Sequence, residues 1–338
     1  MATGFRVLQI WLDRARASGV GTFGRELVAH LAGAGVACDL GGLPDDPDYR
    51  AKAYDAVHIH GIWLPPEHRA CRWAVAKGIP VVWSTHGMTA PWALRSKALK
   101  KRLAWWLYQR RDLFGASVVH VTSAQEERWV RDVGYRGRVV VIPLGTSLDA
   151  SLAPPPRSAD GPLKLLFVGR LHPVKALPDL LRALASVPSV ALRLVGPDEA
   201  GHRAELEALV GELGLAERVT FAGPKFGADL EAEYRACDVL ALPSHTENFG
   251  GVVIDALACG RPVIASRHTP WSELEANRCG WWADNGVAGL AEALVRAAAL
   301  PRAELDAMGD RGRALVRATY SWSAVATAMA DVYRGLSA

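Results

Sequence analysis

The stretch LPSHTENFGGVVIDALACGRPVIAS, residues 242–266, decides the fold of this chain. An apolar run ends at Leu242, and Pro243 breaks the pattern, which predicts a strand followed by a loop. From Val252 to Cys259 the apolar residues recur at helical spacing, and Gly260 stands where a helix ends. The order predicted is therefore a strand, a loop, a helix and a second buried strand.

The loop and the start of this helix have the features of a phosphate site. Thr246 is predicted to cap the helix, and Glu247 projects a carboxylate from the loop. Gly250 and Gly251 allow a ligand to approach the backbone closely, because neither has a Cβ atom. The first helical turn would offer free N–H groups and a positive dipole end to an anion.

Two carboxylates flank this turn, Glu247 on the loop and Asp255 just over one turn inside the helix. One could hold sugar hydroxyls beside a phosphate while the other reaches a ribose. The alternative is a capping acid and a solvated helical aspartate. The segment resembles the E-x7-E signature of retaining, nucleotide-sugar-dependent glycosyltransferases of family 4. Asp255 stands where those enzymes usually have a second glutamate.

Strand and helix patterns alternate along the chain, which predicts parallel strands with crossover helices. The Pro-rich stretch 154–162 is predicted to be a linker. The resemblance implies an α/β fold of the GT-B type, with two doubly wound Rossmann-like domains facing a central cleft. Its acceptor-side domain would span 1–152, completed by a C-terminal helix at 319–338, and its nucleotide-sugar-binding domain would span 162–318.

A glycine motif follows the first predicted strand. Gly19, Gly21 and Gly24 form G-x-G-x-x-G, the pattern of dinucleotide-binding domains, and Asp39 follows about twenty residues later. However, about eight residues separate the strand from the first glycine, so the tight turn of an NAD site is missing. We therefore favour the interpretation given by the resemblance, in which Gly19 and Gly21 lie on a loop near the donor phosphates.

Further residues point to the chemistry of the donor. Gly169 follows a predicted strand, and Arg170 and Lys175 are expected in one crevice, where two fixed cations can hold a diphosphate without a metal. The family resembled here usually has glycine after this lysine, where this chain has Ala176. The resemblance also implies that His86, in a His-Gly loop, approaches the donor sugar.

The predicted site has two sets of residues and no metal ligands. The chemistry is assigned to His86, Arg170, Lys175 and Glu247. Donor binding is assigned to Gly19, Gly21, Gly169, Gly196, Gly223, Asn248, Phe249, Gly250, Gly251 and Asp255. No cofactor is expected besides the nucleotide sugar itself, a UDP- or GDP-sugar co-substrate.

Residues 91–112 combine basic and aromatic side chains on one predicted helical segment. These side chains are Arg95, Lys97, Lys100, Lys101, Arg102, Arg110 and Arg111, interleaved with Trp92, Trp105, Trp106 and Tyr108. The combination is typical of surfaces that contact the anionic headgroups of a membrane. The alternative, which stays open, is a solvated helix whose tryptophans face the domain core.

Composition limits the other possibilities. The chain has 338 residues, half of them apolar, and a formal net charge of +4. This length predicts about two domains, and so mild a charge does not favour a nucleic-acid partner. Five scattered cysteines without C-x-x-C spacing favour a reducing cytosol over a disulfide framework or a zinc site. No apolar run approaches the ~20 residues of a membrane span. We therefore expect a soluble, cytoplasmic protein, with peripheral membrane contact through 91–112.

The resemblance implies an enzyme that moves a sugar from a nucleotide-diphosphate sugar to an acceptor hydroxyl, with retention at the anomeric carbon. The resemblance suggests a saccharide acceptor, lipid-linked in the manner of surface-polysaccharide synthesis. Two alternatives stay open. One is a nucleotide-sugar epimerase with the same fold, and the other is a scaffold that binds nucleotide sugar without catalysis.

Overall fold

The computed structural model describes residues 5–11, 19–41, 52–157, 161–199 and 201–336. The chain forms two compact units. Unit 1 contains the described residues up to Gly145 and those from Ser321 onward, and unit 2 contains those from Thr146 to Tyr320.

Unit 1 is built on one parallel sheet. Its strands are β1 (Phe5–Trp11), β2 (Val36–Gly41), β3 (Ala56–His60), β4 (Val81–Ser84), β5 (Val118–Val121) and β6 (Val139–Val141). They are arranged in the order β2-β1-β3-β4-β5-β6, and every described pairing is parallel. The strand order reverses at β1 and β3, and ligands of open α/β sheets bind beyond the carboxyl ends of strands at such a point.

Unit 2 is built on a second parallel sheet. Its strands are β7 (Leu163–Val168), β8 (Val190–Val195), β9 (Val219–Gly223), β10 (Val239–Leu242), β11 (Val263–Ser266) and β12 (Gly280–Ala283). Their order is β12-β11-β10-β7-β8-β9, with parallel pairing throughout the described strands. This is the doubly wound Rossmann order, and it reverses between β7 and β10.

Helices connect the strands of both units. They are α1 (Gly19–Leu31), α2 (Pro65–Ala76), α3 (Pro91–Arg95), α4 (Ala98–Ala104), α5 (Arg110–Phe114), α6 (Ala124–Asp132), α7 (Leu177–Ala185), α8 (His202–Glu212), α9 (Gly227–Ala236), α10 (Val252–Ala258), α11 (Glu273–Ala276), α12 (Gly286–Ala299), α13 (Arg302–Leu315) and α14 (Trp322–Arg334). Short 3₁₀ turns occur at Ala32–Ala34 and Pro173–Lys175, and π-helical turns at Trp105–Gln109 and Val316–Tyr320. The alternation of strands and helices predicted from the sequence is confirmed, and with it an α/β fold with two parallel, doubly wound sheets.

Residues 158–160 of the Pro-rich stretch predicted to be a linker lie outside the described residues, and its other residues belong to unit 2 rather than to a connection between the units. Arg157 is the reason. Its side chain is buried and forms ion pairs with Asp238 and Asp306. A second guanidinium, that of Arg302, also pairs with Asp238. These contacts hold the start of the stretch against unit 2, so the chain leaves unit 1 earlier, at Gly145.

The last helix, α14, completes unit 1. Ser321 caps it by accepting a hydrogen bond from the N–H of Ala324. Its buried side chains, among them Trp322 and Met329, pack with Phe23 and Leu27 of α1 in one core on the sheet. Alternate residues of each strand point to the opposite face, where a second core lies.

The basic and aromatic segment is not one continuous helix, as the sequence had predicted. The chain breaks between α3 and α4, where Ser96 is extended and Lys97 has a φ of 54°. From Ala98 onward it is helical to Phe114 through the π-helical turn. Apolar spacing gave no sign of this break, because the segment has a mixed surface.

Candidate active site

The segments after β7 and β10 meet at the point where the strand order of unit 2 reverses. The 3₁₀ turn Pro173–Lys175 follows β7, and the 243–251 loop follows β10. The N–H of His245 in this loop donates to the carbonyl of Val174 at 2.9 Å. The two segments are therefore joined by their backbones.

Lys175 and Glu247 form an ion pair across this junction. The Lys175 ammonium donates to Oε1 of Glu247, and the Ser244 hydroxyl donates to the same oxygen at 2.8 Å. The two side chains are only 15% and 14% exposed. The structure thus brings together two residues that the sequence predicted for the site. Because an ammonium has three N–H groups, the contact with Glu247 leaves others that can meet a phosphate.

Arg170 lies in a different electrostatic setting. Its guanidinium pairs with Glu199 at 2.5 Å, and its side chain is 57% exposed. Arg170 and Lys175 therefore each have a carboxylate partner. An exposed ion pair contributes about 0–1 kcal/mol, so Arg170 can exchange Glu199 for another anion at little cost.

Three predicted glycines stand side by side at the carboxyl ends of β7, β8 and β9. The N–H of Gly169 donates to the carbonyl of Val195, and the N–H of Gly196 donates to that of Gly223, each at 2.9 Å. A Cβ on Gly196 would lie 1.8 Å from the Gly169 carbonyl oxygen. Close packing of neighbouring strand ends therefore requires glycine at 196, whatever ligand this edge binds.

The loop before α10 is shaped by its packing. Gly250 has a φ of 83°, and a Cβ there would lie 2.8 Å from Leu242. The predicted cap at Thr246 is wrong, because α10 begins at Val252 and its N-cap is Gly251, which makes no side-chain cap bond. An N-cap residue must stand directly before the first helical residue, and Thr246 lies too far upstream.

Asn248 and Phe249 occupy the middle of this loop. Asn248 is partly buried, while the Phe249 ring is buried against Trp271 and Tyr320, with ring centroids 5.1 and 6.0 Å away. The carbonyl of Phe249 also accepts a hydrogen bond from the Trp271 indole at 2.6 Å. The ring therefore fixes the loop to the body of unit 2 and does not offer its face to a ligand.

Asp255 is not the solvated helical aspartate that remained as an alternative. Its carboxylate accepts a hydrogen bond from the Thr146 hydroxyl at 2.7 Å. Burial raises the pKa of Asp255 to about 6, and the hydroxyls of Thr146 and Tyr234 partly offset this effect. Asp255 is thus a sheltered acceptor on α10, held by a residue at the start of unit 2.

In unit 1, Gly19 and Gly21 occupy the first turn of α1 rather than a loop. The sequence interpretation placed them on a loop after β1, and the structure corrects this placement. Residues 12–18, which connect β1 to α1, lie outside the described residues. The helix begins at the first glycine because the following residues, up to Leu31, keep helical spacing.

His86 follows β4 in a tight turn. It has a φ of 47°, and Gly87 has a φ of 74°. Buried Glu126 holds this turn, since its Oε1 accepts from the Thr85 hydroxyl at 2.6 Å and from the N–H of Gly87 at 2.5 Å. The other oxygen accepts from the backbone and the hydroxyl of Thr122. Sequence reasoning missed Glu126, because an acid in the first turn of a helix is typical of capping alone.

His60 and Gln9 lie behind His86. Nδ1 of His60 is 3.2 Å from Nε2 of His86, and Nε2 of His60 is 2.8 Å from Oε1 of Gln9. Burial lowers the pKa of His86 to about 3 and that of His60 well below its usual value. Both rings are therefore neutral at ordinary pH. The position of His60 at the end of a predicted strand was the signal for it, and a polar residue within an otherwise apolar strand was the signal for Gln9.

Two family models match the two halves of the chain. Residues 2–145 match "Glycosyl transferase 4-like domain", and residues 162–299 match "Glycosyl transferases group 1". The chain belongs to the group 1 glycosyltransferases.

Curated relatives are similar to this chain over much of its length. A D-inositol 3-phosphate glycosyltransferase of Mycolicibacterium gilvum is 42% identical over 231 residues, 63% of this chain and 51% of that protein. The Mycobacterium bovis protein of that name is 33% identical over 313 residues, 83% of this chain and 62% of that protein. The chain therefore spans between half and two thirds of the length of these relatives.

Solved structures agree with this assignment. The sucrose-phosphate synthase of Thermosynechococcus elongatus superposes with a TM-score of 0.78 at 27% identity, covering 98% of this chain and 99% of that one. Anabaena HepE, crystallised with UDP, superposes with a TM-score of 0.80 at 19% identity, covering 98% of this chain and 100% of that one. The second match concerns the fold alone.

After Lys175 this chain has Ala176, where the resemblance implied glycine. Ala176 has a φ of 52°, a left-handed conformation in which glycine is favoured. The usual glycine is thus explained by the turn itself, which this chain forms with alanine. In the described part of the chain, no group of three or more His, Cys, Asp or Glu side chains is placed to hold a metal ion.

Proposed function

We propose that this chain transfers a sugar from a nucleotide-diphosphate sugar to an acceptor hydroxyl, with retention at the anomeric carbon. The observation that carries the proposal is the sheltered pair of Lys175 and Glu247 where the strand order reverses between β7 and β10, in a group 1 glycosyltransferase. The neighbouring structure of HepE contains UDP, which favours a uridine nucleotide.

The diphosphate is held by two cations. Lys175 keeps Glu247 as its carboxylate partner and donates its remaining N–H groups to a phosphate oxygen. Arg170 gives up its exposed contact with Glu199 and binds a second oxygen. As the bond to the sugar breaks, negative charge develops on the leaving diphosphate, and these cations stabilise it. Asp255 accepts a hydrogen bond from the ribose.

Retention follows from attack on the face that the diphosphate leaves. Glu247 already accepts hydrogen bonds from Lys175 and Ser244, and Asp255 accepts one from Thr146, so both carboxylates position other groups. The acceptor oxygen bonds to the anomeric carbon while the bond from that carbon to the phosphate oxygen breaks. The acceptor proton passes to the leaving phosphate oxygen, so no carboxylate nucleophile of the glycosidase kind is needed.

Product analysis tests this function. The protein is incubated with UDP- and GDP-sugars and with two classes of acceptor, a lipid-linked saccharide and D-inositol 3-phosphate. We expect a glycosylated acceptor of retained configuration and free nucleoside diphosphate, formed also in the presence of a chelator, because the two cations replace a metal. Formation of an epimer, or donor binding with no product, would contradict the proposal and favour the epimerase or the scaffold.

We propose further that the segment 91–112 docks unit 1 on an anionic membrane. Leu99, Leu103, Trp106 and Leu107 form an exposed apolar stripe along α4 and the turn that follows it, with Leu99 84% and Trp106 69% exposed. Exposed Lys100 and Arg102 flank the stripe. Such a stripe beside basic residues suits the headgroup layer.

The remaining aromatic residues of the segment have a different task. Trp105 packs on the core of unit 1, and the Tyr108 hydroxyl donates to the carbonyl of Trp63 at 2.6 Å. Half of the aromatic set therefore holds the segment to the core, and the other half, Trp92 and Trp106, is exposed to solvent. A membrane location would bring the protein close to a lipid-linked acceptor.

Vesicle co-sedimentation tests the docking. Wild type should bind anionic vesicles at low salt, and Lys100→Glu with Arg102→Glu should abolish this binding, since each basic residue contributes about 1 kcal/mol near such a surface. Lys101 is left unchanged because it donates to the carbonyl of Ala93. The matched control, Lys77→Glu with Arg296→Glu, alters charge equally on other exposed surfaces.

Binding by the control variant and its loss in the Lys100 and Arg102 variant support the docking proposal. If the wild-type protein does not bind anionic vesicles at low salt, the docking proposal is contradicted. That result would favour a soluble acceptor instead, and the name of the curated relatives, D-inositol 3-phosphate glycosyltransferase, makes a phosphorylated polyol the first candidate.

A further inference from the structure

A row of polar side chains crosses the sheet of unit 1 on a single face. Its members occupy alternate positions near the carboxyl ends of four strands, and α14 adds one more. They are Gln9, His58, His60, Ser84, His120 and Tyr333, and all are almost completely buried. The opposite face of the same strands is apolar. Burial of so many polar groups is costly unless each one is hydrogen-bonded, so their partners decide what the row does.

The hydrogen bonds of the row form one unbroken chain. Its first links run from the Ile142 carbonyl to Nε2 of His120 (2.8 Å), and from Nδ1 of His120 to the Ser84 hydroxyl (2.6 Å). The next run from Ser84 to Nε2 of His58 (2.6 Å), and from Nδ1 of His58 to the Tyr333 hydroxyl (2.6 Å). The last join Tyr333 to Nε2 of Gln9 (2.9 Å), Oε1 of Gln9 to Nε2 of His60 (2.8 Å), and Nδ1 of His60 to Nε2 of His86 (3.2 Å).

The Ile142 carbonyl determines which group donates in each hydrogen bond of the first half of this series. A carbonyl oxygen only accepts, so Nε2 of His120 carries a proton. A neutral His120 then accepts at Nδ1, and Ser84 must donate to it. The Ser84 oxygen in turn accepts from His58, whose proton is therefore on Nε2.

The second half of the chain follows from the first. Because Nδ1 of His58 accepts, the Tyr333 hydroxyl donates to it, and the tyrosine oxygen accepts from the amide nitrogen of Gln9. The amide oxygen of Gln9 then accepts from Nε2 of His60. Nδ1 of His60 has no proton, so Nε2 of His86 donates to it. A flipped Gln9 amide would reverse every link and leave His120 unable to donate to Ile142 without becoming charged.

We propose that this one-way chain fixes His86 as the tautomer with its proton on Nε2, so that Nδ1 accepts a hydrogen bond from a hydroxyl of the donor sugar. Among the described residues, none is bonded to Nδ1 of His86, and its ring is only partly buried. His60, Gln9 and Tyr333 are then positioning residues, which act on the sugar through His86. The proposed use of Nδ1 rests on the proposed function, whereas the tautomer does not.

The surroundings keep the histidines neutral, as the proton positions in this series of hydrogen bonds require. Phe23 of α1 covers three of the rings, with centroids 5.7 Å from His60, 5.3 Å from His86 and 5.7 Å from His120. Burial lowers the pKa of every histidine in the row, and the neighbouring histidines lower the pKa of His58 and His60 further. The carboxylate of Glu126 bonds the residues on either side of His86, which holds the ring in place.

The C-terminal helix has a specific task in this arrangement. Its Tyr333 hydroxyl links β3 to β1, through His58 and Gln9. Without that hydroxyl, the hydrogen bonds from Gln9 through His60 to His86 are no longer connected to the Ile142 carbonyl. Donor and acceptor can then exchange roles in each of these bonds. The end of the chain thus controls a proton on a residue far away in the sequence.

Nitrogen NMR of the full chain, labelled at its histidines, tests the proposal. Long-range proton–nitrogen spectra report which ring nitrogen carries the proton, and the His86 signals are assigned by their loss in His86→Asn. We expect His86 to be neutral and protonated on Nε2 in wild type at pH 7. Tyr333→Phe and, at an independent link, Ser84→Ala should each give a mixture of tautomers. Tyr135→Phe is the matched control, because its hydroxyl donates to Arg138 outside the row.

Kinetics provide a second readout. In Tyr333→Phe the KM for the nucleotide sugar should rise roughly tenfold, the scale of one hydrogen bond, while the affinity for the nucleotide alone stays as in wild type. Protonation of His86 on Nδ1 in wild type, or an unchanged tautomer in both variants, would overturn the proposal. If no sugar is transferred at all, the proposed function fails, and the NMR result still decides the tautomer.

Discussion

Asp255 carries a carboxylate that the fold holds in a sheltered place. Burial raises its pKa to about 6 from the usual 3.8, so the folded protein binds this proton more tightly than the unfolded chain does. The resulting contribution to stability is fully present below the unfolded value and is lost as pH rises through about 6. At neutral pH the ionised carboxylate therefore costs stability, which is expected of a residue kept for binding.

Replacing Asp255 by asparagine separates stability from binding. Asp255→Asn keeps an oxygen that accepts from Thr146 but carries no charge. Its free energy of unfolding at pH 7 should exceed that of wild type by about 3 kcal/mol, and the difference should shrink toward zero below about pH 4. Denaturant unfolding over this pH range measures it. A variant less stable than wild type at pH 7 would show that the carboxylate is well compensated.

The residues of the candidate site differ in how well the sequence predicts them. Lys175 and Glu247 stand in loops directly after apolar runs, so their meeting at one sheet edge follows from parallel topology. The partner of Arg170 does not follow, because Glu199 lies in a segment with no motif. His58 and His120 were missed because a histidine within a strand is ordinarily structural, and only the pairing of strands brings several of them together.

At the scale of elements, close packing of strand ends shapes the donor side. Gly196 lies against the carbonyl of Gly169, while the space around Gly223 is open. Both have positive φ angles, 148° and 70°. Glycine at 196 is thus required by contact as well as by conformation, and glycine at 223 by conformation alone.

This difference gives a matched pair of variants. Gly196→Ala should lower the free energy of unfolding by more than ~3 kcal/mol, because its Cβ would meet backbone that cannot move freely. Gly223→Ala should cost about 1 kcal/mol, the strain of the left-handed conformation. Chemical denaturation compares them. Equal costs for the two variants would mean that β7 and β8 can separate, contrary to the packing described.

Helices and strands were predictable where apolar spacing is regular. The runs at 163–168 and 56–60 coincide with β7 and β3, and the helix after Gly251 begins where predicted. The break at Lys97 was not predictable, because the left-handed residue is neither glycine nor asparagine. The start of α1 at Gly19 was also missed, since glycines lower helix propensity and suggest a loop.

At the scale of the whole molecule, the two units share one design. Each has a parallel sheet whose strand order reverses near its first strand, at β1 and β3 in unit 1 and at β7 and β10 in unit 2. Lys175 lies beyond the carboxyl end of β7, and Glu247 lies beyond that of β10. Strand order cannot be predicted from periodicity, because every strand is apolar and any order would bury it. It follows here from the resemblance and from the structure.

The C-terminal helix contributes both to the core of unit 1 and to the hydrogen bonds of the histidine row. Its tryptophan and methionine complete the core of unit 1, and Tyr333 supplies a link in the histidine row. The chain therefore returns to unit 1 for stability and also for the position of a proton. Its helical character was predictable from the sequence, but its hydroxyl contact was not.

A nucleoside diphosphate is expected to bind beside Lys175. Calorimetric titration of UDP and of GDP into the full chain tests it without an acceptor. We expect one of the two nucleotides to bind wild type, and Lys175→Ala to weaken this binding by roughly 10- to 100-fold, the value of a charge-assisted contact. Lys164→Ala is the control, because exposed Lys164 lies at the opposite end of β7, and it should bind as wild type does. Binding of neither nucleotide, or equal losses in the two variants, would contradict the account.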